Sequence, residues 1–170
     1  STLLQLIAGF QTPTRGNISF NVNGKQIENE FQYQQLSISA PYLELIEEFS
    51  FYESIVHQQQ FKSFLPGLSV DEIIDISELG KQNALKPIRV CSSGMKQRMK
   101  LTLSMLADCP LLLLDEPCSN LDKRATEWYS RIISTYCSQK TIVVCSNDQQ
   151  DEFSFCNEII DIEKFKKNYV

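Results

Sequence analysis

Two periods alternate along the chain. "STLLQLIAG" puts Leu3, Leu4 and Ile7 on one helical face and stops at Gly9, a residue suited to a helix end. "QTPTRG" reads as a turn, broken by Pro13 and Gly16. In "NISFNVNG" the period shortens to two. Ile18, Phe20 and Val22 alternate with Asn17, Ser19 and Asn21, predicting a half-buried strand that ends at an Asn-Gly turn. "LSISA" (36–40) predicts another short strand, closed by Pro41. From about Ser50 to Leu85 the pattern turns helical and more polar. Pro66-Gly67 breaks that stretch, and Ser69 or Asp71 is suited to start a helix.

The second half is simpler. "LLLLD" (111–115) is a continuous apolar run, as expected of a strand covered on both faces. "ATEWYSRIISTYC" spaces Ala125, Trp128, Tyr129, Ile132, Ile133, Tyr136 and Cys137 as one side of a helix. "TIVVCS" predicts a second buried strand and "EIIDI" a last one. Strand–helix–strand alternation implies an α/β fold whose sheet is mostly parallel, with crossover helices.

Composition narrows the class. At 170 residues and 42% hydrophobic the chain fits a single domain with a sizeable core. A net charge of −5 argues against a general nucleic-acid binder. The longest aliphatic run, Leu111–Leu114, falls far short of the roughly 18–20 residues that span a bilayer, and the first residues show no signal-peptide pattern. The six cysteines (Cys91, Cys109, Cys118, Cys137, Cys145, Cys156) form no C-x-x-C pair, and His57, read as a surface residue, is the only histidine. They therefore read as reduced thiols filling a core, and as poor material for zinc.

Three stretches carry chemistry. A buried strand ending in Asp115-Glu116 brings two carboxylates to the carboxyl edge of a parallel sheet, where ligands bind in open α/β folds. There one acid can hold Mg²⁺ through water and its neighbour can activate a water; alternatively, the loop is merely acidic. Asp122, in "CSNLD", is placed to cap the Trp128 helix. "CSSGMKQRMKL" opens a helix on small polar residues. Its free N–H groups make an anion site when Ser92, Ser93 and Gly94 let an anion approach, or a plain serine cap before an amphipathic helix (Met95, Met99, Leu103, Leu106).

Order and spacing join these stretches. The succession resembles the ATP-binding-cassette (ABC) ATPases over essentially the whole chain. "CSSGMKQR" is similar to their signature LSGGQ-x-QR, "LLLLDEP" to the Walker B strand with its catalytic glutamate, and "SNLD" to the D-loop. "STLLQLIAGF" resembles the end of a P-loop running into its helix, and "PTRGNISFNVNG" the segment that follows. The resemblance implies a P-loop NTPase core (1–49 and 110–170) with an ABC-type helical subdomain at about 50–109.

It also implies the cofactors ATP and Mg²⁺. By that resemblance Ser1 and Asp115 associate with the metal, Thr2 lies near the phosphates, and Glu116 is the general base. Ser92, Ser93 and Gly94 grip the γ-phosphate of ATP held by a partner subunit, and Asp122 of the D-loop is a further nucleotide-binding residue. Lys96, Arg98 and Lys100 are expected at the flank of that interface. The function implied is the ATP-hydrolysing subunit of a membrane ABC transporter. It would lie peripheral on the inner face of the cell membrane, dimerise head to tail, dock on a transmembrane permease and have no nucleic-acid partner. The alternatives are a degenerate nucleotide switch and a soluble non-transport ABC protein. The second is disfavoured because the stretch from Pro41 to Ser92 leaves little room for a coiled-coil insertion.

The pattern departs in places. The chain begins after the position of the P-loop glycines and lysine, so a chain starting at Ser1 is expected to be part of a longer domain and inactive by itself. Asn147 stands where the family's switch histidine belongs. Its neutral amide can reach a phosphate oxygen but predicts slower hydrolysis. Pro41 occupies the place of the Q-loop glutamine, with Glu44, Glu47 and Glu48 following in a solvated loop. Ser93 and Met95 replace a glycine and a glutamine of the signature.

Overall fold

The computed structural model describes residues 1–147 and 149–165. The first helix, α1 (Thr2–Ile7), is followed by Gly9 in the left-handed region, at φ 77. Of its apolar residues Leu4 is fully buried, whereas Leu3, expected beside it, is 40% exposed. The reason is geometric: the short helix meets only the sheet, and adjacent residues point about 100° apart. Strands β1 (Phe20–Val22) and β2 (Lys25–Ile27) form an antiparallel hairpin with Phe20 opposite Ile27. Asn23 and Gly24 link them with φ 52 and φ 76, the backbone that the twist of a two-residue hairpin demands.

After a 3-10 segment (Asn29–Gln35), β3 (Leu36–Ser39) enters the parallel sheet. Helix α2 (Phe51–Gln59) starts at Ser50 and α3 (Val70–Ser77) at Ser69. Each has a capping box: the serine hydroxyl accepts the N–H of Glu53 or Glu72, and that glutamate accepts the serine N–H at 2.7 Å. A short α4 (Lys81–Ala84) leads to the long α5 (Ser93–Met105). Then come β4 (Leu111–Asp115), α6 (Lys123–Tyr136), β5 (Thr141–Cys145) and α7 (Gln150–Phe153).

The sheet order is β3-β4-β5, all parallel, with Ser39 beside Leu114 and Asp115 beside Cys145. The central strand explains its own sequence. Leu113 packs with Leu4, Phe20 and Leu36 on one face, while Leu112 and Leu114 join the larger core of α2, α3, α5 and α6 on the other. Burying a leucine side chain contributes about 1.5–3 kcal/mol, so a strand packed on both faces can be apolar throughout. His57, exposed at the end of α2, sits between the rings of Phe49 and Phe61. All six cysteines are free thiols, four of them buried.

Two expectations are corrected. "EIIDI" forms no strand: Ile159 and Ile160 are 78% and 62% exposed, and a 3-10 turn (Ile162–Phe165) follows. Adjacent isoleucines point to opposite sides, and among the described residues no strand lies beside this segment to pair its backbone. The cations after the signature serines are internal ties rather than a free flank. Lys96 pairs with Glu47 at 2.6 Å, and Lys100 donates to the Ala40 carbonyl at 3.2 Å. Arg98 donates to the Ser77 carbonyl at 3.2 Å and stacks 4.9 Å from the Trp128 ring. Their long side chains lie along neighbouring elements, where carbonyls and an acid accept their charged ends. No helix among the described residues is long and apolar enough to cross a membrane.

Candidate functional site

The chain turns sharply where β4 ends. Asp115, the last strand residue, is 2% exposed. Glu116 adopts φ 45, rare for a residue with a side chain, while its N–H still donates to the Cys145 carbonyl at 2.9 Å. That last sheet bond holds the backbone as the glutamate side chain leaves the strand. The Ser119 N–H closes back on the Glu116 carbonyl at 3.1 Å, and Asn120 is again left-handed at φ 63.

Residues from three other segments meet this turn. The Asn147 amide, just past β5, donates to the Glu116 carboxylate. The buried Gln97 of α5 donates to the Pro117 carbonyl at 2.9 Å. Gly94 lies so near the turn that an added Cβ would sit 3.0 Å from the Asn120 carbonyl oxygen. From the opposite side the backbone nitrogen of Ser1 lies 3.8 Å from Asp115 Oδ1.

The expected residues thus fall into two groups. Ser1 and Asp115 meet at the strand edge, and Glu116 meets Asn147 beside them; Thr2 is exposed at the start of α1. Ser92 and Ser93 are exposed at the start of α5, where the Ser92 hydroxyl accepts the Met95 N–H at 3.3 Å. This second group reaches the first through the turn, by way of Gly94 and Gln97. Asp122 is the N-cap of α6, its carboxylate accepting the Ala125 N–H at 2.8 Å. Pro41 is exposed just past β3, and Glu44 and Glu48 are exposed after it. Glu47 instead bonds to Lys96, which holds its carboxyl below the usual carboxylate range.

The residues present fit a small hard cation. Asp115 Oδ2 is buried with no hydrogen-bond partner. A buried carboxylate oxygen is costly unless something compensates its charge. No cluster of three or more metal-ligating side chains exists among the described residues. That suits Mg²⁺, which uses one or two protein oxygens and takes the rest from phosphate and water.

Other residues at the site carried less signal in the sequence. Gln97 lies inside the signature stretch, yet its bond to Pro117 is a tertiary contact. Tyr42 follows Pro41 and lies near Asp115. Burial pushes its phenol up, a hydrogen bond with the Gln5 side chain opposes this, and the Asp115 charge adds to the rise. Glu152 of α7 is 1% exposed and accepts the Cys118 N–H at 2.9 Å. Nothing in "QQDEF" sets it apart from the acids around it.

A parallel sheet with helices on both faces and an acidic turn at its carboxyl edge is an open α/β architecture, the class that binds ligands at that edge. The comparisons narrow this to one family. The model described as "ABC transporter" matches residues 1–119, and the chain belongs to that family. It is 28% identical to the taurine import ATP-binding protein TauB of Ruegeria pomeroyi, over 89% of this chain and 56% of that protein. It is 28% identical to the thiamine import ATP-binding protein ThiQ of Haemophilus influenzae, over 96% of this chain and 77% of that one. Its fold is similar to that of the dimeric bacterial ABC transporter cassette MJ0796, with a TM-score of 0.72 at 19% identity over 89% of this chain and 71% of the cassette. An Atm1-family ABC exporter with ATP bound gives 0.66 at 20% identity, over 90% of this chain and 28% of the exporter. The chain therefore spans about half of TauB and most of ThiQ.

Proposed function

We propose that the intact protein is the ATP-binding and ATP-hydrolysing subunit of a membrane ABC transporter. It works as a head-to-tail dimer beside a transmembrane permease at the inner face of the membrane. The observation that carries this reading is the pairing of Glu116 with Asn147 beside buried Asp115, at the end of a fully packed strand. The names of relatives support the transport setting: TauB and ThiQ are import ATP-binding proteins.

Glu116 is the general base in this reading. Its carboxylate leaves the sheet toward solvent and accepts the proton of the attacking water, while the Asn147 amide fixes its orientation. Asp115 and the Ser1 hydroxyl are the protein's share of a Mg²⁺ site, and Thr2 lies near the phosphates. Mg²⁺, when bound, supplies charge neutralisation on the phosphate oxygens. Ser92, Ser93 and Gly94 offer the start of α5 to the γ-phosphate of ATP held by the partner subunit, with Asp122 nearby. Permease docking is assigned to the helical region at about 50–109, where Tyr52 and Val56, one turn apart on α2, are exposed.

Asn147 carries no charge, so hydrolysis is slower than with an imidazolium in its place. In the intact protein Asn147→His is expected to raise the ATP turnover number several-fold; an unchanged rate removes this role for position 147. Glu116→Gln is expected to lower turnover at least about a hundredfold, in the range typical of lost general-base catalysis. Equal rates for parent and variant would favour a nucleotide switch without turnover.

A further inference from the structure

Glu152 presents a problem that the site does not yet explain. Its side chain is 1% exposed, one carboxylate oxygen accepts the Cys118 N–H at 2.9 Å, and the other has no partner. Its backbone is fixed as well. The Glu152 N–H donates to the Gln149 carbonyl at 3.0 Å, and the Glu152 carbonyl accepts the hydroxyl of fully buried Tyr129 at 2.9 Å. A single backbone hydrogen bond does not repay the desolvation of a carboxylate, and an apolar side chain of the same size would suit this core better. Burial, reinforced by the Glu152 charge, pushes the Cys118 thiol up to about 12.

What the carboxylate gains is its grip on the turn. Cys118 is the middle residue of the stretch from Glu116 to Asn120. The segment after β5 touches that stretch at two points: Asn147 holds the Glu116 side chain, and Glu152 holds the backbone two residues on. Helix α5 touches the same stretch through Gln97 at Pro117 and Gly94 at Asn120. The Glu116 backbone lies in a left-handed conformation that persists only when its surroundings over-determine it. Glu152 supplies one of those restraints from inside the core.

We propose that Glu152 is a positioning residue for ATP hydrolysis. By accepting the Cys118 N–H it locks the Glu116–Asn120 turn in the one conformation that aims Glu116 at its water and keeps Asn120 against the start of α5. The proposal rests on the ATPase reading above.

Glu152→Met and Glu152→Gln in the intact protein test it. Methionine fills the space without an acceptor, and glutamine keeps an acceptor oxygen. Met is expected to lower kcat about tenfold or more with the KM for ATP within about twofold, in line with one lost charge-assisted hydrogen bond. Its thermal midpoint should change little, because removal of the buried charge offsets the Cys118 N–H left without an acceptor. Gln is expected to restore kcat to within about threefold of the parent. A purely structural role predicts the opposite, a lower midpoint with kcat per folded molecule unchanged, and that result overturns the proposal. So does a Gln variant as slow as Met.

Hydrogen exchange across residues 116–120, measured without nucleotide, separates this from failure of the ATPase reading. Exchange there should quicken in Met and not in Gln; no change in Met overturns the proposal whatever the turnover. A parent whose turnover is untouched by Glu116→Gln overturns the ATPase reading, and with it the catalytic purpose assigned to Glu152.

Discussion

Gly94 shows how one residue's size sets the geometry of the site. It lies in the first turn of α5, where helix propensity alone favours alanine over glycine by about 1 kcal/mol. Against that gain, an added Cβ would sit 3.0 Å from the Asn120 carbonyl, a backbone atom in a braced turn. Overpacking costs typically about 1–3 kcal/mol, so the clash outweighs the propensity. Gly94→Ala is therefore expected to lower stability by about 1 kcal/mol, a fall of about 2–4 °C in thermal midpoint by calorimetry. A stabilised variant would mean that the approach of α5 to the turn is loose. Ser93 makes no such contact: it is exposed, and its side chain is free for a ligand on the outer side of the helix start.

The elements follow local rules closely, and the sequence showed those rules where they were local. Ser50 and Ser69 sit three residues before glutamates, and both became capping boxes. Ser50→Ala and Ser69→Ala are each expected to cost about 1 kcal/mol in urea unfolding at pH 7. Hydrogen bonds from these serines hold the Glu53 and Glu72 carboxyls below the usual carboxylate range. A depressed folded pKa means stability that is present above the unfolded value of about 4.3 and lost as pH falls through the folded one. The destabilisation caused by Glu53→Ala or Glu72→Ala should therefore shrink as pH falls below about 4.3; a difference that does not shrink on acidification contradicts the carboxylate's role. The strands β3, β4 and β5 and the helix α6 were legible for the same reason, since their apolar periods record which faces are covered. "EIIDI" misled because periodicity reports burial only when a partner exists, and here none covers the two isoleucines. Likewise β2 had no apolar alternation to announce it and forms because the Asn-Gly turn folds Lys25–Ile27 back on β1.

At the scale of the whole molecule the parts of the site are far apart in sequence and joined at one turn. Ser1, Gly94, Gln97, Asp115, Glu116, Asn147 and Glu152 come from the first helix, the signature helix, the central strand and the segment after β5. The residues proposed for chemistry could be picked out because they stand in stretches that resemble motifs. The supporting ones could not, because Gln97 and Glu152 gain their meaning only from tertiary contacts with residues 117 and 118. Helices α3 and α5 are tied to α6 by a separate bridge. Trp128 of α6 donates to the Ile76 carbonyl at 2.7 Å, and Arg98 stacks on the same ring while pairing with Glu78. Ser92 and Ser93 stay exposed at the start of α5. The central claim is that these serines act on a nucleotide held by a second molecule while Glu116 acts on the molecule's own. Sedimentation velocity of the intact Glu116→Gln protein, with and without Mg-ATP, tests it most directly. The account predicts a monomer without nucleotide and a dimer with it, reverting to monomer when Ser92→Arg is added; a monomer under all conditions, or a dimer indifferent to Ser92→Arg, would contradict it.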